Sequence, residues 1–276
     1  MSNIIKQKFK HGIFSYYLND QYIGKSLSEY GEWSEAEVGL LKQLLPNNEN
    51  IIEIGSNIGT HTIPLAKQVL KGGLVYAIEP QHQNHKLLLD NIKDNKLKNV
   101  KVLKIAISSK EGEAYMNTFN ENITSNYGDS KIFSFNFKNA QSVPVKTLDQ
   151  LFYNDFKDEK SIKLIKCDAQ GQELNIILGS KKIINKYKPY LYLENDDINT
   201  SRALIEIIKD MGYILFWHLP PLYNPDNFLK NNKNIFPKII SCNMLCIHRS
   251  TKITLNKIWK KFEIIDSNYH PLKKFT

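Results

Sequence analysis

The sequence predicts an α/β fold, a seven-stranded and mostly parallel sheet with one antiparallel strand and helices on both faces. Three observations carry this. From Asn50 onward, short apolar runs alternate with amphipathic stretches of helical period. The first run, IIEI at Ile51–Ile54, enters a turn with glycines at Gly55 and Gly59. A last apolar run, NMLCIH, comes after a Pro-rich loop and fits a final strand antiparallel to the rest.

The elements follow in order. The opening 48 residues give a strand-like start over Gly12–Leu18 and Tyr22–Gly24, then a helix over Ser34–Leu45. Ser34 and Glu37 have the spacing of a capping box, and Val38, Leu41, Leu44 and Leu45 form the helix's apolar face. After the glycine turn a helix spans Thr60–Leu70 and ends at Gly72-Gly73. LVYAIEP is the second strand, His82–Asn95 a helix and VKVLKIAI the third strand. Residues 108–146 interrupt the alternation with a β-like stretch, EGEAYMNTF, and a polar, aromatic segment over Asn120–Asn139. TLDQLF is a short helix, SIKLIKCD the fourth strand, and QELNIILGSKKIINKY one helix. PYLYLEND, the helix Ser201–Met211, Tyr213–Trp217, the loop HLPPLYNPDNF and NMLCIH complete the pattern.

Composition narrows the function classes. No apolar stretch is long enough to span a bilayer and no signal-peptide core precedes the first lysines, so a cytoplasmic protein is expected. Three cysteines, Cys167, Cys242 and Cys246, are too few for a disulfide framework and lack further ligands for zinc, so they read as small buried residues and no metal site is expected. The net charge of +9 comes almost entirely from lysine, with Arg202 and Arg249 the two arginines. Spread lysines describe a solvated surface and not a guanidinium-lined phosphate groove, which argues against a nucleic-acid partner.

The chemistry concentrates at strand ends. Glycines at 55 and 59 let a backbone turn sharply and approach a ligand, and the next helix aims free N–H groups at the site. The spacing is GxxxG, without the GxGxxG or the lysine of phosphate-binding loops. Glu53, Gly55, Ser56, Asn57 and Gly59 are therefore candidate contacts to a phosphate-free cofactor, with Glu53 facing its cationic end. Glu79 ends the second strand before Pro80, where a carboxylate accepts both ribose hydroxyls of a nucleoside. S-adenosylmethionine is the nucleoside that needs both features. Ala106 and Ile107 offer an apolar wall for its base, while Asn91 packs or caps beneath the sheet.

Asp168, after the fourth strand, lies beside the strand-order switch and is a candidate to orient the nucleophile or take its proton. Glu194 and Asn195 close the fifth strand on the same edge, and His218 ends the sixth as an alternative base. Glu173 complements a helix dipole. Tyr127, Phe133, Phe135, Trp217 and Tyr223 are candidate walls of an acceptor pocket.

With these residues the chain resembles the FkbM family of S-adenosylmethionine-dependent methyltransferases, from about Gly31 to Cys246. GEWSEAEV, IIEIGSNIGTHT, AIEPQHQNHKLLLDN, and TLDQL with IKLIKCDAQGQELNIILGSKKII and KPYLYLEN carry the resemblance. The family pattern Asp-Val-Glu-Gly-x-Glu has Gln170 in place of its middle acid here, which weakens any role needing a carboxylate there, including a shared metal. The resemblance implies a Rossmann-like class I methyltransferase fold and O-methylation, commonly of sugars, polyketides or other secondary metabolites. On it, residues 1–48 form an extension packing on the cofactor site, 49–250 the methyltransferase domain with insertion 108–146, and 251–276 a basic tail. The expected partner is a small-molecule or glycan acceptor. Two alternatives stay open: an RNA methyltransferase using the basic surface, and a nucleotide-binding protein that is no methyltransferase. Against the first, the position after the fourth strand reads DAQG and not the Asp/Asn-Pro-Pro-aromatic of base-modifying enzymes, and PPLY at 220–223 is elsewhere.

Overall fold

The computed structural model describes residues 3–154, 161–252 and 259–274. Two antiparallel strands, β1 (Ile4–Phe9) and β2 (Gly12–Tyr17), open the chain and are followed by helices α1 (Ile23–Tyr30) and α2 (Glu35–Leu44). The alternating core then runs β3 (Ile51–Ile54), α3 (Thr62–Gln68), β4 (Val75–Ile78), α4 (His82–Asp94), β5 (Val100–Leu103). Four short strands follow, β6 (Ala106–Ile107), β7 (Gly112–Asn117), β8 (Ile132–Phe133) and β9 (Ala140–Lys146), then helix α5 (Leu148–Asn154). The chain returns through β10 (Leu164–Cys167), α6 (Glu173–Leu178), α7 (Lys181–Tyr187), β11 (Tyr190–Glu194), α8 (Ile198–Asp210), β12 (Tyr213–His218) and β13 (Asn243–His248).

The main sheet has seven strands in the order β12-β13-β11-β10-β3-β4-β5. β13 is antiparallel to both of its neighbours, and the remaining pairs are parallel. Period-two alternation splits each strand between two cores. Ile52, Ile54, Ile165, Cys167, Leu191 and Leu193 pack under α5 to α8, while Ile51, Leu164, Tyr190 and Leu245 face α2 and α3. Ala77 packs with Leu88 and Ile92 of α4 on that second face.

The same alternation puts two charged residues inside. Glu53 and Lys166 are register partners across β3 and β10, Lys166 and Tyr192 across β10 and β11, and all three are buried on the α2–α3 face.

Several elements differ from the sequence reading. The predicted third strand divides, β5 staying in the main sheet while β6 pairs with β9 in a four-stranded sheet β6-β9-β7-β8 built from the insertion. The predicted helix 172–187 breaks into α6 and α7, because Gly179 passes against the Ser108 backbone, whose carbonyl oxygen lies where a Cβ would be. Tyr22–Gly24 opens α1 instead of forming a strand, and β1 was missed. Ser34 makes no capping hydrogen bond to α2. Its hydroxyl donates to the Glu37 carboxylate at 2.7 Å instead.

Of the tail predicted over 251–276, residues 253–258 and 275–276 lie outside the described residues. The part from Glu263 packs back on the sheet edge: Ile264 N–H donates to the Leu215 carbonyl, and buried His270 lies 2.9 Å from the Asn195 carbonyl. Among the described residues no helix is long and apolar enough to cross a membrane.

Candidate cofactor and acceptor cleft

Strand order reverses between β3 and β10, and a cleft of about 390 Å³ opens at the carboxyl ends of the strands there. That size suits a drug-sized ligand. The reversal demands glycine at 55. Its φ is +82°, and the Asp168 carbonyl oxygen of the neighbouring strand occupies the place of a Cβ. The glycine is thus fixed by the meeting of two strands as well as by any ligand.

At the β4 end, Glu79 is buried and each of its oxygens accepts one backbone N–H, Oε2 from Asn57 and Oε1 from Gln81, both at 2.8 Å. A carboxylate has about four acceptor positions, so one remains on each oxygen for a neighbouring pair of hydroxyls. Burial pushes its pKa up to about 7, with Asp168 and Glu53 adding to the rise against the two N–H donors. Pro80, Ser56, Asn57, Ile105, Ala106 and Ile107 line the same end. Asn84 lines it too, and its buried Oδ1 has no hydrogen-bond partner.

At the β10–β11 end the cleft is lined by Asp168, Gln170, Glu194 and Asp196. Lys166 Nζ lies 3.3 Å from Asp168 Oδ2. Burial pulls the Lys166 pKa down, but Asp168, Glu53 and Glu37 outweigh it and hold the ammonium above the usual range. Burial drives Glu194 well above the carboxylate range, reinforced by Asp168, Asp196 and Glu173. Gln170, at φ +52°, donates its amide to Glu194 Oε2 at 3.3 Å. An acid at that position would add a further negative charge to this group, which gives the amide a physical reason. Among the described residues no group of three or more His, Cys, Asp or Glu is arranged to hold a metal.

Other expected site residues fall outside the cleft lining. Glu53 is buried behind it, with Oε2 accepting from the Thr62 hydroxyl at 2.6 Å and Oε1 unpartnered. Burial raises its pKa to about 7, moderated by Lys166. Gly59, at φ +92°, leaves room for Leu88, whose Cδ1 would sit 2.8 Å from a Cβ there. His218 Nδ1 lies 2.7 Å from the Tyr192 hydroxyl, its ring is beside Trp259, and burial depresses its pKa to about 4. It is therefore bonded to Tyr192 at the end of β12 and does not line the cleft.

The five aromatic wall candidates also lie elsewhere. Tyr127 stacks on Phe119, Phe133 and Phe135 join Phe137 in a separate cluster, Trp217 packs on His270 and Tyr223 on Tyr30. Sequence reasoning missed Trp33, Glu37, His61, Lys166 and Leu272, all of which line the cleft. A lysine inside the apolar run IKLIKC was the available signal for Lys166, since a charge buried in a strand requires partners.

The cleft thus combines a glycine turn at the strand-order switch with a buried acid after the next strand, and it has no phosphate loop. The model of the methyltransferase FkbM domain matches residues 53–215, and the chain belongs to that family. It is an S-adenosylmethionine-dependent methyltransferase of the FkbM type. The residues present fit that donor: the uncommitted Glu79 acceptor positions and the orphaned Asn84 Oδ1 face the cleft, and no phosphate contact is needed.

Solved structures of similar fold include methyltransferase FkbM from Methylobacillus flagellatus KT, at 16% identity and TM-score 0.46 over 72% of this chain and 44% of that one. This chain thus spans under half of that protein's length. The O-methyltransferase from Bacillus cereus, in complex with SAH, matches at 16% identity and TM-score 0.48 over 78% and 82% of the two chains. Fibrillarin from Aeropyrum pernix, with natively bound S-adenosyl-L-methionine, matches at 11% identity and TM-score 0.42 over 88% and 82%. A comparison with curated proteins finds no match.

Proposed function

We propose that the chain transfers the methyl group of S-adenosylmethionine to a hydroxyl oxygen of a sugar, glycan or secondary metabolite. The observation that carries this reading is the chemical division of the cleft along the sheet. Glu79 and Asp168 end strands separated by β3, and Glu194 ends the strand beyond, so the two ends stand roughly 14 Å apart at about 4.8 Å per strand. The Glu79 end suits a nucleoside. The far end offers carboxylates and an amide, which accept hydrogen bonds from hydroxyl groups, and its lysine is already engaged by Asp168. Among the described residues no uncommitted cation lines that end to receive a phosphate, so nucleic acid is a poor partner.

On this reading Glu79, Pro80, Ser56, Asn57, Gly55 and Ala106 hold the donor, and Asp168 and Glu194 orient the acceptor. The sulfonium supplies an activated methyl group, and the protein's task is alignment and exclusion of water. Residues 1–48 act as a cover contributing Trp33 and Glu37, residues 49–250 form the transferase domain, and the terminal segment adds Leu272.

Titration calorimetry with S-adenosylmethionine and S-adenosylhomocysteine tests the reading. Wild type binds both and does not bind NADH. Glu79→Gln weakens binding by roughly 10- to 100-fold, the scale of hydrogen bonds to a charged group. Loss of donor binding in wild type ends the proposal. Recovery of transferred label as an N-methyl or base-methyl group, and not an ether, ends the O-methylation part.

A further inference from the structure

His61 occupies the N-cap position of α3, directly after the glycine turn, and lines the cleft. The residue is 6% exposed. Its Nε2 is sealed from solvent, makes no hydrogen bond and lies 3.6 Å from Glu37 Oε2. The side chain caps no amide of the helix it opens. A buried ring with an unpartnered nitrogen costs free energy unless a ligand or a small movement satisfies it. Glu37 is itself built into place: its Oε1 accepts from Ser34, and it interacts with Tyr192, Ser241 and Lys166.

Several other basic groups in this region already carry partners. Asp168 pairs with Lys166, Glu79 receives two N–H groups, Glu53 accepts from Thr62, and His218 is bonded to Tyr192. His61 is the one imidazole among the described residues lining the cleft.

We propose that His61 is the group that takes the acceptor hydroxyl's proton, with Glu37 orienting the ring through Nε2. The inference rests on the hydroxyl-acceptor reading above. The acceptor oxygen forms a bond to the methyl carbon, the carbon–sulfur bond breaks with its electron pair kept by sulfur, and the hydroxyl proton passes to Nδ1, the ring nitrogen that does not face Glu37. The imidazolium so formed stands beside the Glu37 carboxyl group, as in other base-and-orienter pairs. Glu37 from α2, Lys166 from β10 and His11 from the β1–β2 turn are the charged or titratable groups that face it, and Asp168, after β10, and Glu53 of β3 act on Lys166 in turn. Burial, then Lys166 and His11, hold the imidazole well below its usual range, so it is neutral at pH 7, and proton transfer to it relies on the Glu37 carboxyl group beside the ring. The pairing also gives α2 a chemical role, since half of the pair comes from the segment preceding the transferase domain.

The test uses full-length protein, methyl-labelled S-adenosylmethionine, and as acceptor pool an extract of cells in which the gene has been deleted. His61→Gln and His61→Ala lower turnover by roughly 100-fold or more, within the range for general bases, while S-adenosylhomocysteine affinity changes less than about threefold. Glu37→Gln lowers turnover less and shifts the pH profile. His218→Gln, which preserves a partner for Tyr192, stays within about twofold of wild type. If wild type transfers label and His61→Gln does so equally well, the inference is overturned. If wild type transfers none, the hydroxyl-acceptor reading fails instead. Independently, ¹⁵N-histidine spectra of the S-adenosylhomocysteine complex show a neutral His61 at pH 7 that moves on Glu37→Gln. A protonated His61 at that pH, or one indifferent to Glu37, overturns the inference without any acceptor.

Discussion

Gly55 and Gly72 both have positive φ, +82° and +112°, yet they answer to different constraints. A Cβ at 55 meets the Asp168 carbonyl, a backbone atom that cannot rotate away, whereas nothing lies within 4 Å of a Cβ at 72. Gly55→Ala is expected to lose at least about 3 kcal/mol of stability, and Gly72→Ala only about 1 kcal/mol from the backbone conformation. Urea denaturation of the two variants checks this, and equal losses would show that the strand crossing is not what fixes Gly55. Glu79 was legible in the sequence because it ends the second strand next to the glycine turn of the preceding unit, and the fold buries it there. Glu53 was not, since a strand alternates faces and only the assembled sheet shows that Glu53 faces Lys166 under the helices.

The elements show how far local pattern reaches. Asn91 of α4 was readable as either packing or capping. In the fold its amide donates to the Ser15 and Ile58 carbonyls at 3.0 and 2.8 Å and accepts the Ser15 N–H at 2.6 Å. It therefore ties the β1–β2 hairpin to the cofactor turn through a fully buried side chain. Asn91→Leu leaves those groups unpaired and is expected to cost about 3 kcal/mol, with the hairpin's amides losing hydrogen-exchange protection first. Uniform loss of protection across the sheet would contradict that tie. The divided third strand and the broken helix 172–187 were invisible for a related reason. Propensity favours continuity in both, and the break is imposed by β9 pairing with β6 and by Ser108 crowding Gly179.

For the whole molecule, the buried acids set the dependence of stability on pH. Glu53, Glu79 and Glu173 are each raised from 4.5 to about 7, chiefly by burial. Between these values the folded chain holds protons that the unfolded chain has released, so stability falls as pH rises. Each group contributes up to about 3 kcal/mol across that window. Glu37 and Glu194 act in the same direction. Glu35 and Asp197, whose pKa values are lowered, lose their contribution only on further acidification. His61 and His218, whose pKa values burial lowers, act the other way below about pH 6.5 and offset part of this, so the melting midpoint is expected to be higher at pH 5 than at pH 7.5 by only a few degrees, and Glu53→Gln should shrink the difference. A midpoint that climbs toward neutral pH would refute this account.

The sequence by itself determined the α/β class, the succession of main-sheet strands with its antiparallel last member, the glycine turn, the acid that follows the second strand and the family. Each of these is written in local periodicity or in residues adjacent along the chain. Tertiary structure alone decided which polar groups face the cleft. It buried Glu53 and Lys166 as a pair, withdrew His218 and the predicted aromatic walls, and brought Glu37 and Leu272 in from the two ends of the chain. Such placements depend on strand order and on packing between residues far apart in sequence, and no local pattern encodes the direction in which a side chain finally points.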